Sequence, residues 1–237
     1  MELNVRDVAR IMRVPERTVD RWVRQENLPA EVVGGQCRFN RAEVFEWAMS
    51  RRMDVPREIV DETAARRDEK LTLATALAAG GELRDVPGID KEAILRAVVE
   101  RLSLAAEADR EILWQLLVHR EGSGSTGVGG GIALPHPRYP VLLPVSAPSI
   151  TLCYLCQPIE FGARDGLPVH TLFVLVSRSV RSHLTLLAQV ATALNDRRFR
   201  ELVVAKADFD AILADARRFH DPADQAAAAN GSARNHV

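Results

Sequence analysis

The chain has 237 residues, a formal net charge of −1 and a hydrophobic fraction of 47%. This length allows one or two domains with a sizeable core, and the near-neutral charge excludes a global basic field, so any contact with nucleic acid needs a local patch. The charged start MELNVRDVAR predicts no signal peptide, and no apolar run reaches the length of a membrane span. With only three cysteines, we expect a cytoplasmic protein without membrane contact rather than a disulfide scaffold.

The first 52 residues predict a small helical module with one hairpin. Apolar positions recur at helical spacing in residues 4–13 and again in VPERTVDRWVRQE, and NRAEVFEWAMSRR predicts a third helix. Between the second and third helices, EVVGGQCRF predicts two short strands joined at Gly34 and Gly35. Two helices, a hairpin and a third helix are the pattern of a winged helix-turn-helix.

A row of arginines lies on the second predicted helix, beside a separate apolar stripe that includes Trp22. Such a row next to a buried stripe suits a helix that enters the major groove of DNA. Glu16 and Asp20 lie among the arginines, so a solvated, charge-balanced surface is the alternative. The candidate DNA contacts are Arg13 in the turn before this helix, Arg17, Arg21 and Arg24 on the helix, and Arg38 on the predicted wing.

The stretch LNVRDVARIMRVPERTVDRWVRQENLPAEVVGGQCRFNRAEVFEWA resembles the excisionase/MerR-like helix-turn-helix family over its whole length. The resemblance implies that the second helix reads DNA and that the hairpin is the wing. The alternatives are a module that docks protein and one that has lost its operator.

The rest of the chain predicts a linker, a larger domain and a tail. Residues 53–70 are charged and weakly patterned, which indicates a linker, and residues 220–237 have little to bury, which indicates a disordered tail. Within residues 71–219, DKEAILRAVVERL, DREILWQLLVHRE, SHLTLLAQVATALND and FDAILADARRF predict amphipathic helices. SITLCYLC and HTLFVLVS predict buried strands. Helices interleaved with buried strands indicate an α/β domain.

The segment GSTGVGGGIALPHPRYP places a glycine-rich stretch before one histidine between two prolines. Its G-x-G-x-x-G match at 122–127 follows a helix and precedes a strand, which is the wrong order for dinucleotide binding. A loop rich in backbone N–H groups can bind a phosphoryl group, and a stiffly held neutral imidazole can accept one covalently. His136 is therefore the candidate nucleophile and Arg120 a candidate phosphate ligand, although one histidine in a glycine loop is more often an ordinary polar residue. The candidate phosphate-loop residues are Ser125, Thr126, Gly127, Gly129 and Gly131.

STGVGGGIALPHPR is similar to the phosphorylation loop of phosphotransferase-system enzyme IIA domains of the fructose/mannitol and nitrogen-regulatory class, which carry S-T-G-[IV]-G-x-G-I-A-[IL]-P-H. The similarity extends over residues 71–218 and includes QPIEFGARDGLPVHTLFVLV and SHLTLLAQVATAL. It implies a mixed-sheet domain flanked by helices, in which His136 accepts a phosphoryl group from an HPr-like carrier. Arg120 and His183 would share the transferred charge. The departures from the pattern are Gly130 in place of a frequent asparagine and Pro137 in place of a frequent glycine.

The remaining cysteines and histidines favour structural roles. Cys153 and Cys156 form C-x-x-C in a predicted strand, where they face opposite sides, and no second pair completes a zinc site. His170 opens a predicted strand and is interpreted as a half-buried structural residue. His119 abuts the predicted site, which leaves a role for it open.

We interpret the chain as a cytoplasmic regulator that accepts a phosphoryl group on His136 and binds duplex DNA through its N-terminal domain. One alternative is a stoichiometric phosphocarrier in a sugar-uptake chain, whose N-terminal module docks protein. Another is a IIA-like sensor that binds partners without being phosphorylated. No cofactor or metal is expected, and the sequence leaves a regulated protein target and a homodimer open.

Overall fold

The computed structural model describes residues 2–51, 53, 71–104, 109–138 and 147–220. The chain divides into two compact units, Met1–Arg67 and Asp68–Val237. The predicted linker, apart from Met53, and the predicted tail beyond residue 220 lie outside the described residues. Among the helices of the described residues, none is long and apolar enough to cross a membrane.

The first unit has its helices and strands in the order of a winged helix-turn-helix. Helix α1 begins with a capping box, because the side chain of Asn4 accepts a hydrogen bond from the Asp7 amide and the Asp7 carboxylate accepts one from the Asn4 amide. Pro15, with extended backbone, precedes α2. The elements are β1 (Glu2–Asn4), α1 (Val5–Ile11), α2 (Glu16–Gln25), β2 (Glu31–Val33), β3 (Gln36–Asn40) and α3 (Arg41–Ser50).

The hairpin of β2 and β3 is the wing. Gly34 and Gly35 connect the two strands with φ values of +59° and +76°, the left-handed conformation that a two-residue type I′ turn requires. Strand β1, which the sequence did not predict, pairs antiparallel with β3 and gives the sheet the order β1-β3-β2. The predicted winged helix-turn-helix fold is confirmed.

The second unit is built on a five-stranded mixed sheet. Its strand order is β4-β7-β8-β6-β5; β4 pairs parallel with β7 and β6 parallel with β8, whereas β7–β8 and β5–β6 are antiparallel. The predicted mixed sheet flanked by helices is confirmed. The elements are α4 (Leu73–Gly80), β4 (Glu82–Val86), α5 (Lys91–Arg101), α6 (Arg110–Gly122), β5 (Gly127–Gly129), β6 (Ile132–Ala133), β7 (Ser149–Ile159), β8 (Val169–Val176), α7 (Val180–Asn195), α8 (Arg197–Val204), α9 (Phe209–Ala216) and a short 3₁₀ helix (Arg217–His220).

The core of this unit lies between the sheet and the α5–α6 pair. Residues Ile94, Val98 and Leu117 from the helices form one buried cluster with Ala133 and Leu172 from the strands. Each helix begins at an aspartate whose side chain accepts a backbone hydrogen bond. Helix α6 ends at the start of the glycine stretch, and β6 ends three residues before His136. The core therefore fixes both ends of the segment that contains the β5–β6 hairpin.

Candidate functional site

His136 directly follows two residues, Leu134 and Pro135, whose backbone groups are hydrogen-bonded to neighbouring segments. The Leu134 amide donates to the Thr126 carbonyl (3.0 Å), and the Pro135 carbonyl accepts from the Leu175 amide (3.0 Å). The Nδ1 atom of His136 is 2.6 Å from the Leu134 carbonyl oxygen. Because a carbonyl only accepts hydrogen bonds, Nδ1 carries the proton and Nε2 carries the lone pair.

Arg120 contacts the nitrogen that carries the lone pair. Its Nε donates to His136 Nε2 over 3.3 Å, and its Nη1 donates to the Gly124 carbonyl over 2.8 Å. The guanidinium therefore bridges the end of α6 and the imidazole. This contact agrees with the tautomer, because an Nε2 that carried a proton could not accept from Arg120.

His183 completes a cluster of three predicted residues. It lies in the first turn of α7, and its ring meets that of His136 edge to face, with centroids 5.0 Å apart and an interplanar angle of 63°. Its Nδ1 is 3.5 Å from the hydroxyl of Ser177, just after β8. The structure thus brings His136, Arg120 and His183 together, and their roles in phosphoryl transfer remain predictions.

The glycine stretch forms a tight hairpin. Gly127 pairs with Ala133 and Gly129 with Ile132, so the turn at Gly130 and Gly131 is the closed end, whereas His136 follows the open end. Gly129 and Gly131 therefore belong to the closed end of the hairpin, and their contact with a phosphoryl group stays a prediction. Their physical role is backbone conformation, because φ is positive at positions 129, 130 and 131.

Side chains from other elements fill the space around the hairpin turn. A Cβ on Gly131 would overlap the imidazole of His170, and a Cβ on Gly130 would overlap the guanidinium of Arg200. The Gly130 amide donates to Asp165 Oδ2 over 2.6 Å. The space that an asparagine side chain would begin to fill at position 130 is therefore occupied by the Arg200 guanidinium.

The two predicted loop hydroxyls are engaged within the protein. Ser125 Oγ donates to the Phe161 carbonyl over 2.5 Å and accepts from the Gly127 amide over 3.0 Å. Thr126 Oγ1 donates to Glu121 Oε2 over 2.7 Å, and the Thr126 amide donates to the same oxygen over 3.1 Å. Both side chains hold the segment between α6 and β5 in shape.

Sequence reasoning missed the partners of this segment, Glu121 and Lys91. Glu121 is buried, and its Oε1 lies 3.2 Å from Lys91 Nζ. A signal was present: Leu113, Leu117 and Glu121 recur every four residues, so the acid extends the buried stripe of α6. A carboxylate on the buried face of a helix needs a cation or hydrogen-bond donors next to it.

Most of the candidate DNA-binding arginines are exposed at the surface of the first unit. Val19 and Trp22 of α2 are buried, whereas Arg13, Arg17, Arg21 and Arg24 are exposed and Arg38 on β3 is half-buried. Arg21 is in a salt bridge, from its Nε to Glu26 Oε1 over 3.7 Å. DNA contact by this face remains a prediction.

Helix α3 fixes the end of α2, which the sequence analysis did not foresee. Trp47 Nε1 donates to the Glu26 carbonyl over 3.0 Å, and its ring lies 4.9 Å from that of Trp22. The guanidinium of Arg51 lies over the Trp47 ring at 4.1 Å and also donates to the Glu26 carbonyl. These contacts satisfy a carbonyl at the C-terminus of α2 that has no partner within the helix.

The other cysteines and histidines lie in structural positions. Cys153 is buried and Cys156 exposed, and all three cysteines, which belong to the described residues, are free. Burial raises the pKa of the Cys153 thiol well above its usual range. His170 lies beside the closed end of the hairpin, with Nδ1 2.7 Å from Thr171 Oγ1. His119 is exposed next to Arg120.

Comparison with known proteins assigns both units. Residues 83–215 match the family model of the phosphoenolpyruvate-dependent sugar phosphotransferase system, EIIA 2, which is more than half of the chain. The chain belongs to the EIIA 2 family. Residues 2–52 match the model of a helix-turn-helix domain, so the EIIA 2 domain follows a helix-turn-helix in one polypeptide.

Relatives of the EIIA 2 domain include nitrogen regulatory proteins and fructose-specific components of the phosphotransferase system. A nitrogen regulatory protein of Pseudomonas aeruginosa is 37% identical over 128 residues, which cover 53% of this chain and 81% of the relative. The fructose-specific EIIABC component of Bacillus subtilis is 28% identical over 127 residues, covering 52% of this chain and 20% of the relative. A solved structure, nitrogen regulatory protein IIA-Ntr from Neisseria meningitidis, is 26% identical with a TM-score of 0.49, covering 56% of this chain and 90% of that one. The EIIA 2 domain therefore supports a phosphocarrier or regulatory role.

Proposed function

We propose that this protein is a cytoplasmic regulator in which His136 accepts a phosphoryl group from an HPr-like carrier and the helix-turn-helix binds duplex DNA. The observation that carries the first part is the geometry of one imidazole. His136 holds its proton on Nδ1 against the Leu134 carbonyl and directs the lone pair of Nε2 toward Arg120. Family membership supplies the reaction class, and the regulatory relatives favour a regulator over a transport component.

In the proposed transfer, Nε2 of His136 attacks the phosphorus of the carrier's phosphohistidine. The new P–N bond forms as the old one breaks, and the electron pair of the broken bond remains on the carrier's imidazole. Nδ1 keeps its proton throughout, so the Leu134 carbonyl stabilises the positive charge that the ring acquires. For the attack, the hydrogen bond from Arg120 Nε to His136 Nε2 breaks, which frees the lone pair of Nε2. The Arg120 guanidinium then pairs with the phosphoryl oxygens.

The helix α7 supports the same transfer. His183 lies in its first turn, where the helix dipole favours negative charge. In the transition state, the charge spreads over the three equatorial oxygens, and positioned donors stabilise it. His183 is proposed as one of these donors, and not as an acceptor of the phosphoryl group.

A phosphotransfer assay with the full chain tests this proposal. Incubated with phosphoenolpyruvate, enzyme I and an HPr-like carrier, the wild type is expected to gain an acid-labile phosphate and His136→Ala none. His183→Ala is expected to be labelled roughly 10²-fold more slowly, the cost of losing one transition-state donor. His170→Gln is the matched control, because it changes a histidine at the other end of the hairpin. Undiminished labelling of His136→Ala would refute the assignment.

DNA binding through the arginine face of α2 is the second part of the proposal. We expect the full chain to bind duplex DNA with an affinity that falls with salt, because each neutralised phosphate releases counterions. Three or four engaged arginines give a log–log slope of roughly −3. Arg17→Ala and Arg21→Ala are expected to weaken binding, and Arg197→Ala, an exposed arginine on α8, is the control. A slope near zero would instead favour a phosphocarrier whose N-terminal module docks protein.

A further inference from the structure

An ion pair between a buried carboxylate and a partly exposed lysine adjoins the candidate site. Glu121 follows Arg120 in the last turn of α6, and its side chain is only 4% exposed. A buried carboxylate is costly unless it is paired and hydrogen-bonded. Lys91, the first residue of α5, supplies the partner through Nζ at 3.2 Å from Oε1, and its ammonium also lies 5.2 Å from the centre of the Phe161 ring.

The other oxygen of the carboxylate holds the chain just before the hairpin. Glu121 Oε2 accepts from the Thr126 hydroxyl over 2.7 Å and from the Thr126 amide over 3.1 Å. Hydrogen bonds to an ionised acceptor are shorter and stronger than neutral ones. The position of Thr126 is therefore set by a charged group that is itself fixed by Lys91.

From Thr126 the contacts continue to the imidazole. The Thr126 carbonyl accepts from the Leu134 amide over 3.0 Å, and the Leu134 carbonyl lies 2.6 Å from Nδ1 of His136. An unbroken series of polar contacts thus runs from the Lys91 ammonium to the ring. The Leu134 carbonyl and Arg120 Nε together select the tautomer, so displacement of the carbonyl removes the acceptor that holds the proton on Nδ1 and weakens this selection.

We infer that Glu121, paired with Lys91, is a positioning residue for His136. It fixes Thr126, the backbone hydrogen bond from Leu134 to Thr126 fixes the Leu134 carbonyl, and that carbonyl keeps the proton on Nδ1 so that Nε2 is the attacking nitrogen. The inference rests on the proposed function only for its kinetic consequence. The tautomer itself is a property of the unphosphorylated protein and can be measured without a carrier.

The test uses ¹⁵N NMR of the histidine ring in the full chain, together with the rate of phosphoryl transfer. Thr126→Val removes the hydroxyl that binds Glu121, and Thr126→Ser restores it. The matched control is Thr151→Val, because Thr151 is also a buried threonine of this unit, with its hydroxyl on the Gly80 carbonyl over 3.1 Å. We expect protonation on Nδ1 alone in the wild type, Thr126→Ser and Thr151→Val. Thr126→Val is expected to show both tautomers and transfer about 10- to 100-fold more slowly, as a misplaced reacting group does.

Glu121→Gln provides a second variant, should Thr126→Val fold poorly, and is expected to change the ring signals in the same direction. Lys91→Arg is expected to keep the wild-type signals, because it preserves the charge. Wild-type ring signals and rates in both Thr126→Val and Glu121→Gln would overturn the inference, even if both were less stable. If the wild type accepts no phosphoryl group, the proposed function fails, and the ring signals still decide the role of Glu121.

Discussion

Two histidines of the same domain are in opposite electrostatic situations. His136 has a carbonyl on one ring nitrogen and a guanidinium on the other, an arrangement that selects one tautomer. His170 is half-buried beside the hairpin turn, where burial and the charge of Lys206 lower the pKa of its imidazole. The first arrangement is the one that the proposed nucleophile requires, whereas the second makes protonation costly to the folded state.

The lowered pKa of His170 predicts a pH-dependent loss of stability. As the pH falls below about 6.5, the ordinary histidine pKa, the unfolded chain binds the proton before the folded chain does, so the free energy of unfolding decreases until the folded pKa is passed. The stability that the neutral His170 side chain contributes is fully present above pH about 6.5. His170→Gln is therefore expected to lose less stability than the wild type between pH 7.5 and pH 5 in urea titrations. An equal loss in both proteins would contradict this assignment.

The hairpin of β5 and β6 shows what glycine contributes to an element. Three successive residues, 129 to 131, have positive φ, and side chains of His170 and Arg200 pack where Cβ atoms would be. Glycine is the residue that allows both the conformation and the close approach. The rigid turn fixes the direction of β6, and hence the position of the segment that ends at His136.

Substitution of Gly131 tests this role of the hairpin. Gly131→Ala is expected to destabilise the domain by at least about 1–2 kcal/mol, the usual cost of left-handed backbone, with an added cost from the His170 ring. Gly122→Ala is the control: it ends α6, and a Cβ there would meet no described atom within 4 Å, so a change within about 1 kcal/mol is expected. Equal stabilities of the two variants in denaturant titrations would show that the turn is not strained.

The sequence was most informative where a pattern is periodic or a motif is dense. Hydrophobic spacing predicted α5, α6, β7 and β8, and the glycine–histidine motif indicated His136 as the candidate acceptor. It was least informative for short elements with charged or mixed composition. Examples are the edge strand β4, with the sequence ELRDV, and helix α8, with the sequence RRFRELVV. The ion pair of Glu121 with Lys91 could not be predicted because the two residues are 30 positions apart along the chain, a distance that only the tertiary fold closes.

At the scale of the whole molecule, one chain joins a helix-turn-helix to an EIIA 2 domain. A phosphoryl group adds about −1.5 to −2 charges when the ordinary hydroxyl phosphates are the guide. Added negative charge opposes binding of a polyanion, so phosphorylation and DNA binding are expected to be coupled with a negative sign. Residues 53–70, which connect the two domains, hold both basic and acidic side chains through which such coupling could act.

We therefore expect weaker DNA binding after phosphotransfer. Coupling of this kind is typically about 1–3 kcal/mol, or roughly 5- to 150-fold in affinity. The measurement compares the Kd for a duplex enriched in vitro with the unmodified protein, before and after phosphotransfer at fixed salt. His136→Ala, treated in the same way, controls for the reagents. Equal Kd values in both states would show that the two domains act independently.

The central claim is that His136 is the phosphoryl acceptor, and site mapping by mass spectrometry at neutral pH tests it most directly. The full-length wild type is incubated with phosphoenolpyruvate, enzyme I and an HPr-like carrier, digested, and its peptides are sequenced. The account predicts a single phosphoryl group on the imidazole of His136, which is absent when the carrier is omitted. A phosphoryl group on another residue, or none at all while the carrier itself is phosphorylated, would contradict it.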